Sequence, residues 1–282
     1  MRPMFKEMVR LTDEFQQRSI LGDSTAPWRD HVLSSRENVS KFAFGTGLIV
    51  ELSEFITEAG YKWWQTNEYN REKVCSERTD CFQCAISFLL LLGEGKDHEE
   101  LASDIFDAWN GVWRCSSEPR SRMTAVTEDF TRAVAAASKA QTCLIESLGI
   151  VHDDYDGYIY SDFLSTFFYL FDMCKEVELS SQDLAFRFYG KSALIKVRRD
   201  AIQKYGSYDK KWFVSTEVAG FEGVEDNKIL SYVLEHAKGF SYDELLSVLS
   251  RIYLDQHCSV WTVEYEDDIK AIVSQHIRGR KQ

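Results

Sequence analysis

Apolar residues recur along this chain at spacings of three and four, the signature of helices that bury one face. From Met4 to Ile20 they fall at Phe5, Met8, Val9, Leu11 and Phe15, which predicts a first helix. Gly22–Pro27 reads as a turn, and Trp28 opens a region to Ala59 whose later part carries Leu48, Val50, Leu52 and Phe55. Gly60 is a candidate helix stop. A second long pattern begins near Asn70, passes through Val74, Cys81, Ala85, Phe88 and Leu92, and ends at Gly93 or Gly95. Further helices are expected at about His98–Trp113, from near Pro119 to Gly149, and from Ser181 or Gln182 to about Tyr205. Three more cover about Asn227–Ala237, Tyr242–Leu254 and Val260–Ile277, the last followed by a basic tail. Phe163–Met173 is apolar nearly all round and is expected at the centre. His152–Tyr158 reads as an acidic loop, and Gly220–Gly223 as an irregular stretch. With no internal repeat or low-complexity linker, the expectation is one all-α helical-bundle domain over residues 1–282.

Composition narrows the class. The chain of 282 residues has only three prolines, Pro3, Pro27 and Pro119, which suits long helices. A formal charge of -12 argues against wrapping nucleic acid, which needs a basic footprint. No apolar run approaches the roughly 20 residues of a membrane helix. Seven cysteines without regular spacing, in a chain that starts without a signal peptide, favour a reduced, cytoplasmic setting.

Several motifs fail on their spacing. Gly190-Lys191-Ser192 ends like a phosphate-binding loop, but Ala185 stands where the upstream glycine must be, and the stretch is helical in pattern. Asp154-Tyr155-Asp156-Gly157 resembles a calcium loop whose first and last ligand positions would be His152 and Phe163, and phenylalanine cannot chelate. Cys81 and Cys84 form a CxxC without the second pair a zinc site needs, so they read as small core residues. His152-Asp153 is the start of a histidine–aspartate phosphohydrolase pattern, but His31 and His98 do not complete its frame.

One constellation is consistent. Glu51 and Glu54 are three apart on one helical pattern, and Glu77 and Asp80 are three apart on the next. Such pairs project from one face, and two helices side by side would gather four carboxylates. An all-oxygen set selects a hard cation, magnesium where phosphate oxygens complete the shell. Downstream, Lys191, Lys196, Arg198, Arg199, Lys204 and Lys210 concentrate positive charge in an acidic chain. Metal on one side and basic donors on the other is what a triphosphate needs.

The ExxE…ExxD arrangement, with Lys62-Trp63-Trp64 between the pairs, resembles the all-α nucleoside triphosphate pyrophosphohydrolases. It is most similar to the dimeric dUTPases of trypanosomatids, bacteria and phages, which carry a KWW after the first acidic pair. They also carry a C-terminal run FRxDxGYKxGxYxKxW followed by EDN. Here the run is VRRDAIQKYGSYDKKW from Val197 to Trp212, followed by Glu225-Asp226-Asn227. The resemblance spans about residues 11–230, with further helices over about 231–282.

The resemblance implies magnesium-dependent hydrolysis of dUTP to dUMP and pyrophosphate by water attack on the α-phosphorus, in a cytoplasmic homodimer (host-cell cytoplasm for a phage protein). Glu51, Glu54, Glu77 and Asp80 would be the catalytic metal ligands, with Glu51 orienting the water. Lys191, Arg198, Lys204 and Lys210 would clamp phosphates, aided by Tyr208 and Asn227. Lys62, Trp63, Asp13 and Gln16 would lie at base and sugar. The family's first helix carries a glutamine–acid…asparagine pattern whose asparagine reads the uracil edge; here Thr12 replaces the glutamine and Gln16 the asparagine. Gln16 keeps the amide one methylene further out, so a dCTP or dual dCTP/dUTP enzyme is the alternative within the class. An inactive protein-binding scaffold is the alternative outside it, and it would leave the carboxylates exposed and splayed.

Overall fold

Short polar side chains set where the helices begin. The Asn70 side chain accepts hydrogen bonds from the backbone N–H groups of Glu72 (3.1 Å) and Lys73 (3.2 Å), which starts α4 (Arg71–Leu92). Asp97 and Glu100 form a reciprocal cap at the start of α5 (His98–Arg114), and Ser241 and Glu244 do the same for α10 (Tyr242–Asp255). The computed structural model describes residues 1–34, 38–59, 70–93, 95–114, 122–147, 155–176, 180–212, 223–255 and 265–279. Among the described residues there are eleven helices and one two-residue strand pair, so the protein is all-α as its periodicity predicts. None of these helices is long and apolar enough to cross a membrane.

Contacts gather the chain into two compact units, Met1–Ala185 and Phe186–Gln282. In the first, α4 packs on α1 (Arg2–Leu21), α3 (Asn38–Glu58) and α7 (Tyr155–Glu176), and α7 packs on α5 and α6 (Arg122–Ser147). The reason is in the composition of α4. From Cys81 to Leu91 every residue but Cys84 is buried, so this stretch needs neighbours all round. Aromatic side chains fill the gaps. Phe82 lies 4.9 Å from Phe171, and Phe88 lies 4.7 Å from Phe163, measured between ring centroids.

The α3–α4 pair is antiparallel. Glu58 reaches Lys73 at 3.9 Å, and the Arg78 guanidinium lies 4.8 Å from the centroid of Phe55. Further along, Glu51 meets Asp80, and Gly47 shares a cavity with Cys84. The short helix α2 (Trp28–Ser34) is tied back to α1 by Gln17, which accepts from Trp28 N (3.1 Å) and donates to the Ser24 and Ala26 carbonyls. Trp28 stacks on Phe44 of α3 at 5.5 Å.

The second unit contains most of α8 (Ser181–Tyr205), with β1 (Lys211–Trp212), β2 (Val224–Glu225), α9 (Asp226–His236), α10 and α11 (Tyr265–Gly279). Gly206, at φ 78°, ends α8 in the left-handed region. Trp212 is fully buried in the core of this unit, 5.2 Å from Tyr253. Gly190, which resembles the end of a phosphate-binding loop in sequence, sits inside α8 instead. Its missing side chain lets α9 come close: a Cβ there would stand 2.8 Å from Leu234 Cδ2 and 3.1 Å from Leu230 Cδ1.

Two expectations require correction. Tyr155–Tyr158 belong to the first turn of α7 rather than to a loop, and His152, Asp153 and Asp154 lie outside the described residues. The strand pair joining Lys211 to Glu225 and Trp212 to Val224 was not foreseen, because two residues are too few to show alternation.

Gly190→Val is expected to destabilise the protein by about 1–3 kcal/mol through overpacking against Leu230 and Leu234. A urea unfolding curve coincident with that of the wild type would contradict the close α8–α9 packing.

Candidate functional site

The i, i+3 carboxylate pairs emerge on α3 and α4, and the antiparallel packing brings three of the four together. One side-chain oxygen from each of Glu51, Glu77 and Asp80 lies within 4.8 Å of the others, and all three residues are half-buried. Glu54 is exposed and is not part of this group. The difference is angular. A step of three residues turns a helix by about 300°, so Glu54 is rotated some 60° off the line of Glu51, here toward solvent.

The cluster fits a hard divalent cation. Two oxygens of an octahedral magnesium stand roughly 3 to 4 Å apart, which small side-chain movements reach from the observed spacing. Neighbouring thiols report the local field. Burial first, then Glu51 and Asp80, push the Cys84 thiol up to about 12. Cys81 is raised well above its ordinary value by burial, Cys84 and Glu51, with Arg78 opposing. Arg78 itself is fully buried, a permanent positive charge on the helix that carries Glu77 and Asp80. Its three guanidinium nitrogens make no hydrogen bond among the described residues.

One helical turn beyond the cluster is a cavity of about 380 Å³. Gly47 stands four residues before Glu51 and Cys84 four residues after Asp80, and both line it. Ser87, one turn further, Phe44, His31 and Gln16 complete its polar and aromatic surface. Gln16 donates from Nε2 to Ser87 Oγ at 2.9 Å. Sequence reasoning reached Gln16 but missed Ser87 and Gly47, although continuing the faces of Asp80 by seven and Glu51 by four leads to both.

Asp13 has different surroundings. Its Oδ1 accepts from Trp28 Nε1 at 2.7 Å and lies 3.4 Å from Arg29, while Oδ2 is 2.8 Å from His98 Nε2. Asp13 thereby ties α1 to α2 and α5. Burial would raise its carboxyl, but Trp28, His98 and Arg29 outweigh that and hold it below the ordinary value. Lys62, Trp63 and Trp64 lie outside the described residues.

In the second unit, Asp226 is fully buried at the start of α9. Arg198 donates to it from Nε and from one terminal nitrogen, each at 2.8 Å, and Tyr208 donates at 2.5 Å. Trp212 Nε1 donates to the Tyr208 hydroxyl at 2.8 Å. Burial first, then Asp226, raise the Tyr208 phenol and keep it a neutral donor. Lys204 is exposed, with its ammonium 5.0 Å from the Tyr205 ring centroid. Lys196 pairs with Asp200. Lys210 and Asn227 are exposed, and Lys191 is half-buried.

A family model described as dUTPase matches residues 28–202, more than half of the chain. No curated protein matches the chain.

Two variants test these networks. Asp226→Ala should lower unfolding stability by about 3–5 kcal/mol, because it leaves Arg198 and Tyr208 without their buried partner; a loss below about 1 kcal/mol in urea denaturation would show the network to be dispensable. Asp13→Asn should cost about 1–2 kcal/mol at pH 7. Because the folded Asp13 carboxyl is held low, its contribution is present above the unfolded value near 3.9 and is lost as pH falls through the folded one. The gap between wild type and Asp13→Asn should therefore close below about pH 4, and a gap that persists in acid would contradict the charged role.

Proposed function

The chain belongs to the all-α dimeric dUTPase family, and from that premise we propose that it hydrolyses dUTP to dUMP and pyrophosphate at the α3–α4 carboxylate cluster. The observation that carries this reading is the convergence of Glu51, Glu77 and Asp80 one helical turn from a cavity lined by Gln16. A retired scaffold predicts splayed, exposed carboxylates, and the grouping of these three speaks against it.

Magnesium, held by Glu51, Glu77 and Asp80, would supply charge neutralisation at the phosphate oxygens. Glu51 orients the attacking water and draws off its proton as the oxygen meets the α-phosphorus. The bond from that phosphorus to the α–β bridging oxygen breaks, and the leaving pyrophosphate carries the electron pair away. Gln16 contacts the base, with Lys62 and Trp63 near base and sugar. Asp13 does not line the Gln16 cavity; it acts on it indirectly, by holding Trp28, which stacks on the cavity residue Phe44. Lys191, Arg198, Lys204 and Lys210, with Tyr208 and Asn227, are proposed phosphate ligands on the strength of their register with the family's C-terminal run. The family also supports a homodimer. The free thiols of Cys75, Cys81, Cys84 and Cys174 suit a reducing, cytoplasmic setting.

The test is a panel of the common dNTPs plus dUTP, with and without magnesium, read as pyrophosphate release. Release should require the ion and be greatest with dUTP. Glu51→Gln, Glu77→Gln and Asp80→Asn should each lower kcat/KM by about 100-fold or more, in keeping with the loss of charge stabilisation at a reacting centre. Glu54→Gln should cost less than any of these, because Glu54 is exposed outside the cluster. Full magnesium-dependent activity in Asp80→Asn would remove the basis of the reading.

A further inference from the structure

The cavity beside the carboxylate cluster contains a polar relay whose direction can be deduced. Gln16 Nε2 lies 2.9 Å from Ser87 Oγ, and Ser87 Oγ lies 2.8 Å from the carbonyl oxygen of Gln83, four residues back on α4. A serine hydroxyl has one proton, and a backbone carbonyl can only accept. Ser87 therefore spends its proton on Gln83 and can meet Gln16 only as an acceptor. Gln16 must turn its NH2 toward Ser87, which turns Oε1 away from it. Ser87 is 4 % exposed, so α4 holds the hydroxyl in place. Gln16 is half-buried on α1, both residues line the cavity, and Oε1 has no hydrogen-bond partner among the described residues.

We propose that Ser87 is a positioning residue for base choice: by locking the Gln16 amide it directs an acceptor oxygen at the base and selects uracil over cytosine. Uracil carries a proton on ring N3 and can donate it to Oε1. Cytosine has a lone pair at N3, which repels the same oxygen. Its exocyclic amine could satisfy Oε1 only if the ring were displaced within the cavity. Without the relay the amide would be free to rotate and offer its NH2 to the N3 of cytosine equally well. The relay thus decides which of two nearly isosteric bases fits, even though Ser87 need not touch either one. Gln16 stands one methylene further out than an asparagine would, with an additional rotatable bond, so an amide of this length has more need of such a lock.

This inference rests on the nucleotide hydrolase reading, and the experiment separates the two. Wild type, Ser87→Ala and Ser87→Thr are compared for kcat/KM with dUTP and with dCTP, in magnesium, by pyrophosphate release. Wild type should prefer dUTP. Ser87→Ala should narrow the dUTP-to-dCTP ratio by at least about fivefold, the worth of roughly one hydrogen bond, with the change carried more by KM than by kcat. Ser87→Thr keeps a hydroxyl that bonds the Gln83 carbonyl and should restore the wild-type ratio. Equal melting temperatures for the three proteins would show that the ratio moves without a change in fold. A Ser87→Ala protein that keeps the wild-type ratio overturns the proposal and leaves the hydrolase reading standing. A wild type that prefers dCTP overturns the proposal together with the dUTP assignment, and leaves only nucleotide hydrolysis at the carboxylate cluster. A wild type that releases pyrophosphate from no dNTP overturns both.

Discussion

Carboxylates repel one another, and gathering three of them on half-buried positions needs a force that works against that repulsion. Here the force is the burial of α4. Its C-terminal half is covered by α1, α3 and α7, and each fully buried leucine or phenylalanine along it is worth about 1.5–3 kcal/mol. That is enough to outweigh charge repulsion at the half-solvated carboxylates midway along the α3–α4 seam. Everything specific about the site follows from the antiparallel register of the pair. Glu51 is placed opposite Asp80, and the open space formed by Gly47, Cys84 and Ser87 falls one turn away.

The first helix then gives that space its chemistry. Its apolar side, with Phe5, Met8, Val9 and Leu11, is committed to the core. Its polar side divides labour among neighbours in sequence. Asp13 secures Trp28 and His98, Gln17 fastens the turn before α2, and Gln16 is directed at Ser87. Three adjacent or nearly adjacent polar residues thus serve different partners, because each successive position points about 100° further round the helix.

Much of this was legible in advance. The bounds of α8, Ser181–Tyr205, follow from an apolar pattern with polar Ser180 before it and a left-handed Gly206 after it. The acidic pairs on α3 and α4 could be read as facing residues, since i and i+3 share a face. The same rule overreached at Glu54, because sharing a face leaves some 60° of freedom that only the neighbouring helix resolves. Tyr155–Tyr158 read as loop because Asp156 and Gly157 favour turns. Tertiary burial of Ile159, Tyr160 and Phe163 just beyond them draws the chain into helix instead. Asp226 was legible as part of a motif but not as the buried centre of a network. Its donors, Arg198 and Tyr208, are 28 and 18 residues away, and no local period connects them.

The fully buried stretch of α4 also has a consequence for dynamics. Segments that bind ligands are often drawn from the least stable parts of a protein, which open locally while the rest stays folded. Glu77 and Asp80 instead border the part of the first unit that is most completely enclosed. Their backbone amides sit within α4, next to its fully enclosed half, so their opening should be coupled to that of the surrounding helices. A cation held there, as proposed, would be linked to unfolding of the unit, so that its binding energy would stabilise helices it never touches.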